Sequence, residues 1–204
     1  MNRLTSFLGA ALALASSFVH AAALTVQVTD SAGRPLADAA VYAEPASGAV
    51  LAKSGKAVDI EQKARKFMPL VTVVQTGSDI AFPNNDTVRH HVYSVSPAKP
   101  FDIKLYSGQP ASPIHFDKPG TVVIGCNIHD QMLAYVHVVS TPWYAKTDAS
   151  GVARIDGLPA GKYELKGWHY SLPLNTSLPG QHLNMGAADM TAAVQVNVKT
   201  PGAN

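Results

Sequence analysis

Apolar and polar residues alternate along most of the chain after roughly the first twenty residues, and Gly, Pro, Asn and Asp interrupt the alternation at short intervals. A period of two is typical of strands with one buried face, and such interruptions mark turns. The pattern predicts strands at residues 24–28, 41–44, 71–75, 79–82, 91–95, 121–126, 134–139, 152–156, 161–168 and 193–198. Only residues 61–66 could form a helical turn. The sequence therefore predicts an all-β fold.

The two ends of the chain share one strand–turn–strand pattern. Three turn sequences carry glycine where a positive φ is favoured: Asp30-Ser31-Ala32-Gly33, Asp148-Ala149-Ser150-Gly151 and Pro159-Ala160-Gly161. Taken together, the flanks resemble the carboxypeptidase regulatory-like β-sandwich, also called transthyretin-like or prealbumin-like. The residues that carry this resemblance are Val28-Thr29-Asp30, Gly33-Arg34-Pro35-Leu36, Thr147-Asp148, Gly151, Leu158-Pro159-Ala160-Gly161 and Tyr163.

The resemblance of the flanks implies that the middle of the chain is a second domain inserted into a surface loop of the first. Such an insertion is tolerated when the ends of the inserted domain lie close together. We therefore predict one β-sandwich built from residues 24–54 and 141–200, and a second domain at residues 55–140. The alternative is a single merged sandwich, because each half is small for an independent core.

The first 23 residues have the pattern of a secretory signal peptide. Arg3 is followed by an apolar stretch and then by small residues at positions 21–23, and this order is typical of a cleaved leader. The apolar stretch is shorter than the roughly 20 residues of a membrane span, although an anchoring helix is the alternative. We expect a periplasmic or otherwise exported protein with no stable membrane insertion after cleavage.

The charge of the chain argues against a nucleic-acid partner. Sixteen basic and fourteen acidic residues give a net charge of +2, whereas nucleic-acid binding requires a clustered basic stripe. A few basic residues gather between positions 53 and 66, and a solvated loop or edge strand explains them better than a docking patch. These residues are Lys53, Lys56, Lys63, Arg65 and Lys66.

The chain has a single cysteine, Cys126, within the sequence GCNIHDQM. An unpaired cysteine in an exported protein indicates an intermolecular disulfide, a reactive thiol or a metal ligand, and a buried inert thiol is the alternative. His129 follows three residues later and Met132 six residues later. A thiolate, an imidazole and a thioether are soft ligands of the kind that bind copper in electron-transfer sites.

Alternation places the thiol of Cys126 at the edge of the core, since Val122 and Ile124 share its face of the predicted strand. One short loop cannot surround a metal ion, so a further imidazole must come from a neighbouring strand. His90 and His91 are both candidates, but adjacent strand residues face opposite ways.

The middle segment resembles the cupredoxins, the small blue copper proteins such as plastocyanin and amicyanin. The residues that carry this resemblance are Phe67, Pro69, Val73, Gly77, Ile80, Phe82, Asn84, Asp86, His90, Val92, Pro119-Gly120, Cys126, His129 and Met132. The spacing Cys-x2-His-x2-Met is that of the short amicyanin loop. The resemblance implies a Greek-key β-sandwich that binds one type 1 copper ion through His90, Cys126, His129 and Met132. Met132 as simple core filling is the alternative.

The choice between the two adjacent histidines depends on two patterns. The spacing from Asn84 and the His-x-Val-x-Ser run favour His90, whereas alternation with Tyr93 and Val95 favours His91. We predict that His90 is the ligand. His91 and Asn84 are then expected to support the ligands from behind, His91 by a hydrogen bond to the backbone of the Cys126 loop.

The ligand set predicts a carrier of single electrons and not an enzyme, with a redox partner protein that the sequence does not identify. In cupredoxins the histidine of the loop, here His129, commonly reaches the surface where electrons enter and leave. A module that handles copper, or one that binds carbohydrate, is the alternative. A catalytic copper site would need an open coordination position, which Met132 would close. We interpret Trp168-His169-Tyr170 as structural, with a contact to the inserted domain as the alternative.

Overall fold

The structure of the chain is a computed structural model that describes residues 22–47, 55–110, 112–173, 176 and 178–198. The first eight strands are β1 (Ala22–Thr29), β2 (Ala40–Pro45), β3 (Ala57–Asp59), β4 (Glu61–Lys63), β5 (Lys66–Met68), β6 (Val71–Gln75), β7 (Ser78–Ala81) and β8 (His90–Ser94). The other nine are β9 (Phe101–Tyr106), β10 (Ile114–Phe116), β11 (Gly120–Gly125), β12 (Leu133–Val139), β13 (Tyr144–Lys146), β14 (Val152–Leu158), β15 (Gly161–Trp168), β16 (Gln181–Met185) and β17 (Met190–Gln195).

The all-β prediction is confirmed, because the described residues form seventeen strands and no helix. No described helix is therefore long and apolar enough to cross a bilayer. The predicted signal peptide lies outside the described residues, except for Ala22 and Ala23. These two residues are buried and begin β1, two residues before the boundary that the sequence predicted.

Each of the ten predicted strands overlaps an observed one, but the interpretation of residues 61–66 as a helical turn is wrong. Strands β4 and β5 form a hairpin there. Its two-residue turn consists of Ala64 and Arg65, with φ angles of 51° and 55°. Positive φ at both central positions is the geometry that lets a two-residue turn follow the twist of its strands.

The flanks form two sheets around one core. One sheet has the order β14-β1-β17 and the other the order β13-β2-β15-β16. Strand β1 pairs antiparallel with β14 and parallel with β17, so the first and last described strands are neighbours. The core between these sheets includes Leu24, Val26, Val28, Val41, Ala43, Ile155, Leu158 and Leu165.

The middle segment forms sheets of its own. Five strands have the order β6-β12-β11-β8-β9, three have the order β10-β7-β3, and the β4–β5 hairpin completes the segment. Their core includes Ile80, Phe82, Val92, Phe116, Val122, Ile124, Cys126, Met132, Ala134 and Val136. No described sheet combines strands of the flanks with strands of the middle. The domain boundaries at 54/55 and 140/141 stay predictions.

Strand β12 contributes to two different contacts because its faces alternate. Ala134, Val136 and Val138 point into the core of the middle segment. Tyr135 and His137 lie on the opposite face, and side chains of the flanks cover that face. A strand with both faces covered carries apolar or aromatic residues at nearly every position, as β12 does.

Aromatic rings form the interface between the flanks and the middle segment. Trp168, at the end of β15, stacks on His137 with ring centroids 4.8 Å apart and an interplanar angle of 7°. Tyr170 stacks on Tyr135 at 5.4 Å. His169 instead faces the flanks, where its Nε2 lies 3.2 Å from the carbonyl oxygen of Ala37. For Trp168 and Tyr170 the structure therefore shows the contact that the sequence analysis held as the alternative.

Candidate metal centre

The thiol of Cys126 is placed by the end of strand β11. This strand ends at Gly125, and the alternation that buries Val122 and Ile124 brings Cys126 onto the same face, with 4% of the residue exposed. The chain then turns back at once: the Met132 N–H donates to the His129 carbonyl at 2.9 Å, and the Cys126 N–H to the Met132 carbonyl at 3.3 Å. This closed loop presents His129 beside the thiol.

Strand β8 brings His90 to the same place. His90, Val92 and Ser94 are buried on one face of β8, whereas His91 and Tyr93 lie on the other. The alternation that seemed to favour His91 therefore runs the opposite way, because Val95 is 84% exposed. Of the two adjacent histidines, His90 lies in the core beside Cys126.

Three possible ligand atoms converge at this point. The Cys126 Sγ lies 3.8 Å from the His90 Nδ1 and 3.7 Å from the His129 Nδ1. All three atoms lie within 4.8 Å of one another. An ion held about 2.3 Å from sulfur and about 2.0–2.1 Å from nitrogen, at tetrahedral to trigonal angles, separates such atoms by about 3.6–3.8 Å. The donor set and its spacing therefore fit one soft metal ion such as copper.

The second ring nitrogen of His90 has its own partner. His90 Nε2 lies 2.8 Å from the Asp86 Oδ2. The same carboxylate accepts the N–H groups of Ala64 at 2.7 Å and Arg65 at 2.8 Å. Burial alone would raise the pKa of Asp86, but the hydrogen bonds from Arg65, His90 and Ala64 outweigh it and lower the pKa. Since an ionised carboxylate only accepts, the Nε2 of His90 donates to Asp86, and Nδ1 is the ring nitrogen that faces Cys126.

Asn84 holds the loop that carries Asp86 and His90. Its Nδ2 donates to the carbonyl oxygens of Val88 at 3.0 Å and Tyr106 at 2.8 Å. Its Oδ1 accepts the N–H of Asp86 at 3.0 Å. A buried amide that bonds both ends of a loop fixes the loop's path. The role of Asn84 in supporting the metal ligands stays a prediction.

His91 has a different partner from the one we predicted. We expected a hydrogen bond to the backbone of the Cys126 loop, but the His91 Nε2 pairs with the carboxylate of Asp102 on β9. The reason is the alternation of β8, which turns His91 to the outer face of the sheet. There it packs against Tyr93, with ring centroids 5.6 Å apart, and lines an open groove of about 650 Å³ together with Asn127.

Met132 is buried in the same core cluster as Cys126. A ligand at this position and a core-filling side chain would both be buried, and a substitution considered below separates these roles. Ile128, which lies between Cys126 and His129 in the loop, is not buried but 49% exposed. The surface next to His129 therefore contains an apolar side chain.

Asp86 is the site residue whose role the sequence analysis did not assign. It was part of the resemblance, but a hydrogen bond to His90 was not predicted. A carboxylate four residues before a predicted histidine ligand is a usable signal, because ligand histidines commonly donate their second N–H to a carboxylate. The contribution of Ala64 and Arg65 comes from a separate hairpin, and no local spacing indicates it.

Comparisons with known proteins find distant similarities only. No family model matches the chain, and no curated protein matches it. Among solved structures, the chain is similar to a purple cupredoxin from Nitrosopumilus maritimus, with 21% identity, coverage of 37% of this chain and 84% of that chain, and a TM-score of 0.33. Amicyanin from Paracoccus versutus is 18% identical, with coverage of 41% of this chain and 81% of that chain and a TM-score of 0.35. A Cu-containing nitrite reductase from Thermus scotoductus is 20% identical, with coverage of 55% of this chain and 28% of that chain and a TM-score of 0.38.

Proposed function

We propose that the chain binds one type 1 copper ion through His90, Cys126, His129 and Met132 and carries single electrons between redox partner proteins. The observation that supports this most directly is the convergence of Cys126 Sγ with the Nδ1 atoms of His90 and His129. Copper bound there would supply the one-electron exchange between Cu(II) and Cu(I).

The surroundings of the three donors suit a carrier better than an enzyme. His90 is fully buried, and Cys126 and Met132 are nearly so, which keeps water away from the ion. Buried side chains packed at interior density resist movement, so the ligand positions change little when the charge of the ion changes. If Met132 also bound the ion, the four ligands would leave no coordination position open for a substrate.

We further propose that the protein works outside the cytoplasm, as the pattern of residues 1–23 predicts. In this proposal, the middle segment is a cupredoxin domain inserted in a carboxypeptidase regulatory-like sandwich. His129 is its electron exit, because it is the only predicted imidazole ligand that is partly exposed. No substrate is transformed, and the partner is a redox protein.

The test is copper loading of the purified mature protein. Cu(II) is expected to give an intense blue thiolate-to-copper absorption and the paramagnetic spectrum of a type 1 site, and Cys126→Ser is expected to abolish both. His90→Ala and His91→Ala form a matched pair, since the residues are adjacent on β8 but face opposite ways. Loss of the blue band in His91→Ala and its retention in His90→Ala would contradict the ligand assignment.

The two tryptophans of the flanks give little support to the carbohydrate-binding alternative. Sugar binding commonly uses exposed aromatic rings, but Trp168 is 4% exposed because it packs on His137. Trp143 is half-buried and donates its Nε1–H to the Gly157 carbonyl at 3.2 Å. A colourless copper complex in the test above would favour a copper-handling module over an electron carrier.

A further inference from the structure

We propose that Asp86 is a positioning residue that orients His90 for metal binding and connects the metal centre to the β4–β5 hairpin. This inference rests on the proposed function, because it assigns a role toward the same ion. Three N–H groups from two separate parts of the chain meet on this one carboxylate: the ring of His90 on β8 and the backbones of Ala64 and Arg65 in the hairpin turn.

The three donors require a group that only accepts. The Asp86 Oδ1 accepts from Ala64, whereas the Oδ2 accepts from both Arg65 and His90. An asparagine amide would have to place its NH₂ group against one of these sets of donors. If the NH₂ faced His90, the Nε2 of the ring would have to accept this hydrogen bond. The hydrogen of the neutral ring would then lie on Nδ1, and Nδ1 would have no lone pair to offer to a metal ion.

The hairpin is built to hold this carboxylate. Because Ala64 and Arg65 both have positive φ, their successive N–H groups point to the same side and form a small anion-binding concavity. Further bonds fasten the adjacent loop to strand β4. The Gln62 N–H donates to the Pro83 carbonyl at 2.8 Å, and the Asn85 N–H donates to the Gln62 carbonyl at 2.9 Å. The ligand loop and the hairpin are therefore joined at several points, with Asp86 at the end next to His90.

A carboxylate that is hydrogen-bonded to the ring of a ligand histidine changes the relative affinity of the site for the two oxidation states of a metal. The carboxylate increases the basicity of the imidazole and interacts more favourably with the more highly charged Cu(II) than with Cu(I). Removing the charge from Asp86 is therefore expected to weaken Cu(II) binding more than Cu(I) binding, and so to raise the reduction potential.

The experiment compares Asp86→Asn with Asp102→Asn in the copper-loaded protein. Asp102 is the matched control, because it also pairs with a histidine of β8, but with His91 on the outer face. For Asp86→Asn we expect Cu(II) to lose at least about tenfold in affinity relative to Cu(I), which corresponds to a potential higher by about 59 mV for a one-electron couple. Asp102→Asn is expected to change this ratio less than threefold, and Asp86→Glu to restore part of it.

A redox-silent probe separates this inference from the proposed function. Zn(II) affinity is expected to fall about 10–100-fold in Asp86→Asn, as for other partners of ligand histidines. Amide exchange at Ala64 and Arg65 is expected to rise in the metal-free variant. If wild type gave no blue band, electron transfer would be disproved, but zinc affinity would still decide the role of Asp86. Unchanged potential and unchanged zinc affinity in Asp86→Asn would overturn the positioning role of Asp86.

Discussion

Two histidines next to each other in the chain have opposite environments because of one property of a strand, its alternation of faces. His90 lies in the core beside the thiol, and His91 lies on the outer face beside Asp102. Each imidazole is paired with a carboxylate through its Nε2. Only the pair in the core has its second nitrogen directed at Cys126. Pairing with a carboxylate is therefore common to both histidines, and only the alternation of β8 decides which ring faces Cys126.

A substitution at Met132 distinguishes a copper ligand from a core-filling side chain. Met132→Leu conserves volume, so the free energy of unfolding of the metal-free protein is expected to fall by less than about 1.5 kcal/mol. If the thioether binds copper, the blue absorption and the paramagnetic spectrum will shift and the reduction potential will change. Spectra of the copper-loaded variant that match wild type would assign Met132 to the core alone. Met185, which is buried in the core of the flanks, provides the control Met185→Leu.

Much of the candidate site could be predicted from the sequence, and the contacts that could not be predicted join residues far apart in the chain. The spacing within residues 126–132 and the alternation of β11 are local, so they predicted that Cys126 and His129 lie together. The need for an imidazole from a neighbouring strand was inferred from the metal itself, because one short loop cannot surround an ion. The choice of His90 relied on its spacing from Asn84 and on the family resemblance. The contact of Asp86 with Ala64 and Arg65 joins residues more than twenty positions apart, and a single sequence does not encode such a contact in any local pattern.

At the scale of elements, the β4–β5 hairpin shows why short strands escaped prediction. Strands β3, β4, β5, β10 and β13 are three residues long, too short for a period of two to stand out. The turn at Ala64 and Arg65 also lacks the Asn-Gly or Gly signal that usually indicates a two-residue turn. Strand β9 is a different case, since its sequence FDIKLY alternates clearly and could have been predicted.

The strain of this turn can be measured with glycine. Ala64 has a φ of 51°, and a left-handed conformation costs a residue with a side chain about 1–2 kcal/mol. Ala64→Gly removes this cost but adds about 0.4–1 kcal/mol of unfolded-state entropy. We expect a net gain of about 0.5–1 kcal/mol in the free energy of unfolding, measured with urea. The control Ala188→Gly, at an exposed position without a positive φ, should destabilise. A loss of stability in both variants would contradict this explanation.

At the scale of the whole molecule, the flanks cover the outer face of β12. Tyr135 and His137 would otherwise be exposed aromatic residues on a sheet surface, and Trp168 and Tyr170 cover them. Thr121 Oγ1 lies 3.1 Å from the His137 Nδ1, and Tyr42 packs on the same ring at 5.5 Å. The ion pair of Glu44 and Lys166 lies near this interface, with 2.6 Å between the Glu44 Oε2 and the Lys166 Nζ. Burial between these side chains lowers the pKa of His137 to about 4.

This burial predicts a loss of stability in weak acid. The folded-state pKa of His137 is about 4, below its ordinary value of 6.5, so the unfolded chain takes up the proton first as the pH falls. The contribution of neutral His137 to the free energy of unfolding is complete above pH 6.5. It declines by up to about 3 kcal/mol as the pH falls toward 4. Urea unfolding of the metal-free protein at pH 7.5 and 4.5 measures it.

His137→Phe keeps an aromatic ring against Trp168 but cannot bind a proton, so we expect its stability to depend less on pH than that of wild type. His182→Gln is the control, because His182 is exposed on β16 and its removal should leave the profile of wild type unchanged. Equal pH dependence in wild type and His137→Phe would show that other groups cause the acid sensitivity.

The parallel pairing of β1 with β17 also has a consequence for how the chain is made. Ala23 in β1 bonds the Asp189 side chain 166 residues later, so a ribosome that adds 5–20 residues per second delivers the second partner roughly 10–30 s after the first. All strands of the middle segment are made within that interval, before β17 can pair with β1. The earliest strand of the flanks meanwhile has unsatisfied edges, which is the state in which nascent chains aggregate or recruit chaperones.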